Sequence, residues 1–187
     1  MPNVCKYLSC HPPSKREWDS LYLPRDSLWL QRDSLGGKGV AIGDVAPDFK
    51  LRSQTGQEVS LKEFQGKPVV LYFYPKDFTP GCTTEACAFR DSFEAFKEMG
   101  AEVIGVSTGT VESHEKFARE YNLPFKLLAD EDGRVRELYG VPKSAVGMIP
   151  GRVTYVIDRM GVVRHVFDSL THAERHVEEA LRILKFL

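Results

Sequence analysis

From residue 42 onward the chain alternates short apolar runs with longer amphipathic stretches. Phe49-Lys50-Leu51 and Val59-Ser60-Leu61 show period-two alternation on either side of Gln54-Thr55-Gly56-Gln57, which predicts two short strands around a turn. Residues 69–74 form a continuous apolar run, the pattern of a central strand covered on both faces. Ala86, Phe89, Phe93 and Phe96 then recur at helical spacing until Gly100. Val103-Ile104-Gly105-Val106 predicts another buried strand, and residues 111–121 a helix with Phe117, Ala118 and Tyr121 on its apolar face. Leu127-Leu128-Ala129 reads as a short strand and residues 134–139 as a short helix ended by Gly140. Residues 153–157 and 162–167 flank Asp158-Arg159-Met160-Gly161, an antiparallel hairpin signal. Ala173, Val177, Ala180, Leu181 and Leu184 share one face of a last helix. The order β-β, β-α, β-α, β-α, β-β, α predicts an α/β domain with a mixed central sheet flanked by helices on both faces.

Residues 1–40 are of another kind. Pro2, Pro12, Pro13 and Pro24 interrupt them and Gly36-Gly37-Lys38-Gly39 closes them. Asp19-Ser20-Leu21, Asp26-Ser27-Leu28 and Asp33-Ser34-Leu35 repeat with a period of seven, but three units with Pro24 among them are too short and broken for a coiled coil. The glycine stretch lacks the flanking positions of a phosphate loop and reads as a linker. Residues 1–40 are expected to be a flexible extension, and residues 41–187 the compact domain.

Composition narrows the function. Twenty-five basic against 26 acidic residues, a net charge of −1, offer no electrostatic case for nucleic acid or an anionic membrane surface as partner. No apolar run approaches the roughly 18 residues of a membrane helix. Lys6, Lys15, Arg16, Glu17 and Asp19 interrupt any signal-peptide core, so a secreted chain is not expected. The head is neither Arg/Ser-rich nor acid-poor, which makes a weak organelle transit peptide and favours a bacterial cytoplasm over a plastid. Four cysteines are too few for a disulfide scaffold at this length, and a close pair is then more often catalytic or metal-binding.

That pair is Cys82 and Cys87. Cys82 ends the run Tyr74-Pro75-Lys76-Asp77-Phe78-Thr79-Pro80-Gly81-Cys82, between the central strand and the first helical stretch. A cysteine at a strand-to-helix junction can have its thiolate stabilised by the helix N-terminus, and a second thiol gives its oxidised form a partner. Thr79 offers a hydroxyl within the same turn, to the thiolate or to an incoming hydroperoxide, and Pro75 and Pro80 stiffen the loop. If residues 82–87 form one α-helix, their Cα atoms stand about 8–9 Å apart. A disulfide needs less than about 7 Å, so either the pair never closes or the first turns unwind. A metal or cluster site is disfavoured, since no further Cys-x2-Cys supplies ligands. Cys5 and Cys10 repeat the five-residue offset in the head and read as accidental. Glu85 and Arg90 read as helix-surface charges or ion-pair partners, and His172 and His176 as neighbours on a solvated helix face.

The segment Pro75-x-x-x-Thr79-x-x-Cys82 resembles the active-site signature of the peroxiredoxins. Residues 73–91, with Cys87 five after Cys82, resemble the peroxiredoxin Q branch, also called bacterioferritin comigratory protein. Gly147-Met148-Ile149-Pro150-Gly151-Arg152-Val153-Thr154-Tyr155-Val156-Ile157-Asp158 is similar to its cyanobacterial and plant members. The resemblance runs from about residue 41 to the end. It implies a thioredoxin-like fold and a peroxidase for hydrogen peroxide and alkyl hydroperoxides that needs no metal, haem, flavin or nicotinamide. It implies Cys82 as peroxidatic and Cys87 as resolving cysteine, Thr79 and Pro75 completing the pocket, and Arg152 supplying positive charge beside the sulfur. It further implies a monomer that closes an intramolecular disulfide by unwinding the active-site helix and is recycled by thioredoxin or a similar dithiol. The head, with its two further cysteines, departs from the pattern. Two alternatives stay open: a peroxide-driven redox sensor or holdase, and a one-cysteine peroxidase in which Cys87 is idle.

Overall fold

The apolar run near residue 70 becomes β3 (Val69–Phe73), with all five residues buried. In the computed structural model, which describes residues 39–142 and 151–187, it stands inside a seven-stranded sheet. The other strands are β1 (Lys50–Ser53), β2 (Glu58–Ser60), β4 (Glu102–Ser107), β5 (Lys126–Ala129), β6 (Val153–Ile157) and β7 (Val163–Asp168). The helices are α1 (Pro80–Asp91), α2 (Phe93–Glu98), α3 (Val111–Glu120), α4 (Arg134–Leu138) and α5 (Ala173–Leu184). Sheet order is β2-β1-β5-β4-β3-β6-β7. Strand β4 runs parallel to β3 and β5, and the remaining pairs are antiparallel. The mixed sheet with helices on both faces is therefore as expected. The period-seven repeat, Cys5, Cys10 and residues 147–150 of the second resembling stretch lie outside the described residues.

Strand alternation divides the core in two. Leu71, Phe73, Ile104, Val106, Leu128 and Tyr155 face one side, where Val135 of α4 covers them. Val70, Tyr72, Val103, Leu127 and Val156 face the other, under Phe89, Phe96, Phe117 and Ala180 from α1, α2, α3 and α5. The active-site helix thus lies on the more heavily covered face, against the middle of the sheet. No helix among the described residues is long and apolar enough to cross a membrane.

Two elements differ from expectation. Leu61 leaves its strand to open a 3-10 turn (Leu61–Phe64), because Ser60 and Glu63 form a reciprocal capping box that starts a helical turn. The helical stretch through residues 86–97 breaks at Ser92, whose backbone (φ −97°, ψ 4°) ends α1 and begins α2.

Phe89 anchors α1. Its ring stacks on Tyr72 at 4.6 Å and lies 5.7 Å from Phe96, with no exposed surface. Phe89→Ala is expected to cost about 3–5 kcal/mol of stability, through lost burial and the cavity left behind. Denaturant unfolding measures this as a lowered midpoint at unchanged slope.

Candidate active site

Sequence dictates where α1 begins. Pro80 occupies its first turn, where the missing N–H is no loss, and Thr79 is the extended N-cap (φ −84°, ψ 147°). Before it, Phe78 adopts φ 62°, left-handed backbone that costs a non-glycine residue energy and persists only where neighbours enforce it. The enforcement is visible on both sides. The Phe78 ring packs 5.2 Å from Phe117 of α3. Asp77 is buried and accepts hydrogen bonds from Tyr74 Oη (2.7 Å), Ser113 Oγ (2.6 Å) and His114 Nδ1 (2.7 Å). Burial works against the Asp77 carboxylate, but these donors, His114 foremost, outweigh it and hold its pKa below the usual value. The loop from strand to helix is therefore bolted to α3.

Cys82 falls in the first turn of α1, where backbone N–H groups lack intrahelical partners and the dipole favours negative charge. It shares the buried stripe Cys82, Glu85, Ala86 and Phe89, and its thiol is free, with 2% of the residue exposed. Arg152, immediately before β6, reaches across to it. One terminal nitrogen, Nη2, donates to Cys82 Sγ at 3.5 Å; the other, Nη1, donates to the Gly81 carbonyl at 2.8 Å and to Glu85 Oε2 at 3.1 Å. A Cβ at residue 81 would stand 2.9 Å from Arg152 Nη2, so glycine there lets the guanidinium close on the helix. Arg136 sets the distance from behind. Its guanidinium donates to the Gly151 carbonyl at 2.9 Å and to the Tyr74 carbonyl at 2.6 Å, tying the residue before Arg152 to the residue before the active-site loop. Its own backbone is fixed by Asp130, which accepts the Val135 and Arg136 N–H groups.

Glu85 is fully buried. Burial pushes its carboxyl up to about 8, against the opposing pull of Arg152. Its Oε1 has no hydrogen-bond partner and stands 3.7 Å from His176 Nδ1 of α5. His176 Nε2–H donates to the Ser169 carbonyl at 2.8 Å, which leaves Nδ1 to accept from Thr154 Oγ1 at 2.8 Å. That is a neutral imidazole, consistent with burial drawing its pKa down to about 4.

Among the residues singled out by sequence, Cys82, Thr79 and Arg152 meet at the head of α1. Pro75 is half-buried at the base of the loop, its carbonyl accepting from Ser107 Oγ at 3.4 Å. Thr79 Oγ1 donates to the Lys76 carbonyl at 3.1 Å rather than to the sulfur. Cys87 is a free, half-buried thiol further along α1 and off the Cys82 stripe. Of the two readings of Glu85, the ion-pair partner holds, with Arg152, but the residue is interior and not a surface charge. Two expectations fail. His176 is interior, not solvated. His172 does not share its helix face, because it is the residue that caps α5. The Asp77–His114 pair and Arg136 were missed altogether.

The AhpC/TSA family model matches residues 42–166. A chloroplastic peroxiredoxin Q of Sedum lineare is 53% identical over 148 residues, covering 79% of this chain and 80% of the relative. The chain belongs to the AhpC/TSA family, in its peroxiredoxin Q branch. Peroxidoxin BcpB from Mycobacterium tuberculosis superposes with a TM-score of 0.73 at 38% identity, covering 79% of this chain and 98% of that one. The Xanthomonas campestris bacterioferritin comigratory protein, solved for insight into its alkyl peroxide reduction activity, gives a TM-score of 0.69 at 28% identity over 80% and 98% of the two chains. The thioredoxin-like fold and a thiol-dependent peroxidase activity follow. As a peroxiredoxin, the enzyme consumes a peroxide and a thiol reductant. The expected bacterial cytoplasm is overturned: the curated relatives are chloroplastic proteins of plants and point to a plastid. Bulk composition of the head is a weak signal of compartment, and these relatives outweigh it.

Proposed function

We propose that Cys82 is the peroxidatic and Cys87 the resolving cysteine of a peroxidase acting on hydrogen peroxide and small alkyl hydroperoxides. The observation that carries this reading is the Arg152 guanidinium donating to Cys82 Sγ at the head of α1. The sulfur, as thiolate, attacks the terminal peroxide oxygen. The O–O bond breaks, and the departing alkoxide or hydroxide takes a proton to leave as alcohol or water. Arg152 stabilises the charge that develops on the oxygens. Thr79, its own hydrogen spent on Lys76, presents its oxygen as acceptor for the peroxide O–H, and Pro75 shapes the floor of the pocket. Cys82 becomes a sulfenic acid. The first turns of α1 unwind, Cys87 condenses with Cys82 and water leaves. Thioredoxin or a similar dithiol then reduces the disulfide, and the enzyme works as a monomer.

Peroxide consumption coupled to thioredoxin, its reductase and NADPH tests this reading. The wild-type chain is expected to turn over continuously. Cys87→Ser is expected to lose thioredoxin-driven turnover by at least about tenfold while still consuming one equivalent of peroxide. A wild-type rate no faster than free thiol would support a sensor instead. An unimpaired Cys87→Ser would make Cys87 idle.

A further inference from the structure

Cys87 cannot reach Cys82 while α1 is intact, so part of the helix has to open while the rest stays in place. Two contacts bracket the stretch that opens, and both stand on the last turn of α3. On the near side, the Phe78 ring lies 5.2 Å from Phe117 and 6.4 Å from Tyr121. On the far side, Arg90 Nη1 donates to the Tyr121 carbonyl at 2.8 Å. Tyr121 is the C-cap of α3, and carbonyls at a helix end lack intrahelical partners, so Arg90 caps one helix from another. The same guanidinium is steered by Asp91 Oδ1 at 2.9 Å from Nε, and Cys87 lies three residues before Arg90, one helical turn back on the same face of α1. Arg90 therefore ties the part of α1 that carries Cys87 to the neighbouring helix.

We propose that Arg90 is the positioning residue of the disulfide-forming step: by bonding the Tyr121 carbonyl, it keeps the end of α1, with Cys87 one turn away, fixed on α3 while the turns around Cys82 come apart. This rests on Cys82 and Cys87 being the two redox thiols. In the step, Cys87 Sγ–H gives up its proton and the sulfur attacks Cys82 Sγ. The Cys82 S–O bond breaks, and hydroxide leaves with that proton as water. Cys82 sulfur is reduced, Cys87 sulfur is oxidised, and no other oxidant is needed. With Cys87 held, only the Cys82 end has to search, which raises the effective concentration of one thiol at the other. With Cys87 loose, sulfenic acid lingers and a second peroxide can carry it to sulfinic acid.

The test follows both steps separately in the full chain. Reduced wild type, Arg90→Met and Arg90→Lys receive one equivalent of hydrogen peroxide. Samples are quenched with an alkylating trap, and mass spectrometry counts sulfenic acid and disulfide over time. In Arg90→Met, sulfenic acid is expected to form within about twofold of the wild-type rate and disulfide about tenfold more slowly, the loss of one charge-assisted contact. Arg90→Lys, which keeps the charge, is expected to recover most of the second rate. Under excess peroxide, Arg90→Met is expected to accumulate sulfinic acid ahead of wild type. Disulfide formation in Arg90→Met within about twofold of wild type overturns the proposal. So does an equal loss of both rates, which would make Arg90 merely structural. A wild-type chain that forms no Cys82–Cys87 disulfide overturns the two-thiol reading itself, and this one with it.

Discussion

Cys82→Ser is expected to reduce thiol-dependent peroxide consumption to background, a loss on the order of 10⁴-fold or more. Serine differs from cysteine by one atom, and the site is closed enough (2% exposed) that the packing of α1 should survive. The chemistry does not survive. A hydroxyl stays protonated at neutral pH without an adjacent base, and the contacts around residue 82 supply donors, from Arg152 and the helix N-terminus, rather than a base. Peroxide decay at fixed thiol concentration reads the effect, and an unchanged unfolding midpoint separates it from misfolding. A variant that kept its turnover would remove Cys82 from the reaction.

Arg152→Met comes second, with an expected fall of about 10²–10³-fold in the rate of peroxide reduction. Methionine keeps much of the stem's volume but none of the three donations to Gly81, Cys82 and Glu85. The charge is lost where negative charge builds up as the O–O bond breaks. The fold should tolerate the change better than a broken buried ion pair usually allows. Burial already pushes Glu85 up to about 8, so without its partner the carboxyl takes a proton instead of remaining a stranded anion. Stopped-flow consumption of one equivalent of peroxide isolates this step from recycling. A rate within about threefold of wild type would show that the helix N-terminus alone suffices.

The elements were legible because apolar periodicity reports burial directly. Residues 69–74 had to be central, and the Phe89 and Phe96 spacing had to be a helix on a core. Charged residues inside that core were not legible by the same rule. Glu85 occupies an apolar stripe at 82, 85, 86 and 89, and His176 another at 173, 176, 177, 180 and 184. Each polar residue at an apolar position was a signal that something inside answers it. Helix-surface habit concealed Glu85, and the i, i+4 pairing with His172 concealed His176. The Asp77–His114 pair joins residues 37 apart, and Arg136 acts through two backbone carbonyls, so no local pattern announces either. The meeting of Arg152 with Cys82, 70 residues apart, was suggested only by resemblance; periodicity cannot supply it.

A guanidinium-braced sulfur and a second thiol further along the same helix make one simple demand on the mass of the protein. Reduced chain treated with one equivalent of hydrogen peroxide should lose two hydrogens, and digestion should yield the peptides of Cys82 and Cys87 joined. A lasting gain of one oxygen on Cys82, or a bond formed instead between Cys5 and Cys10, would contradict it.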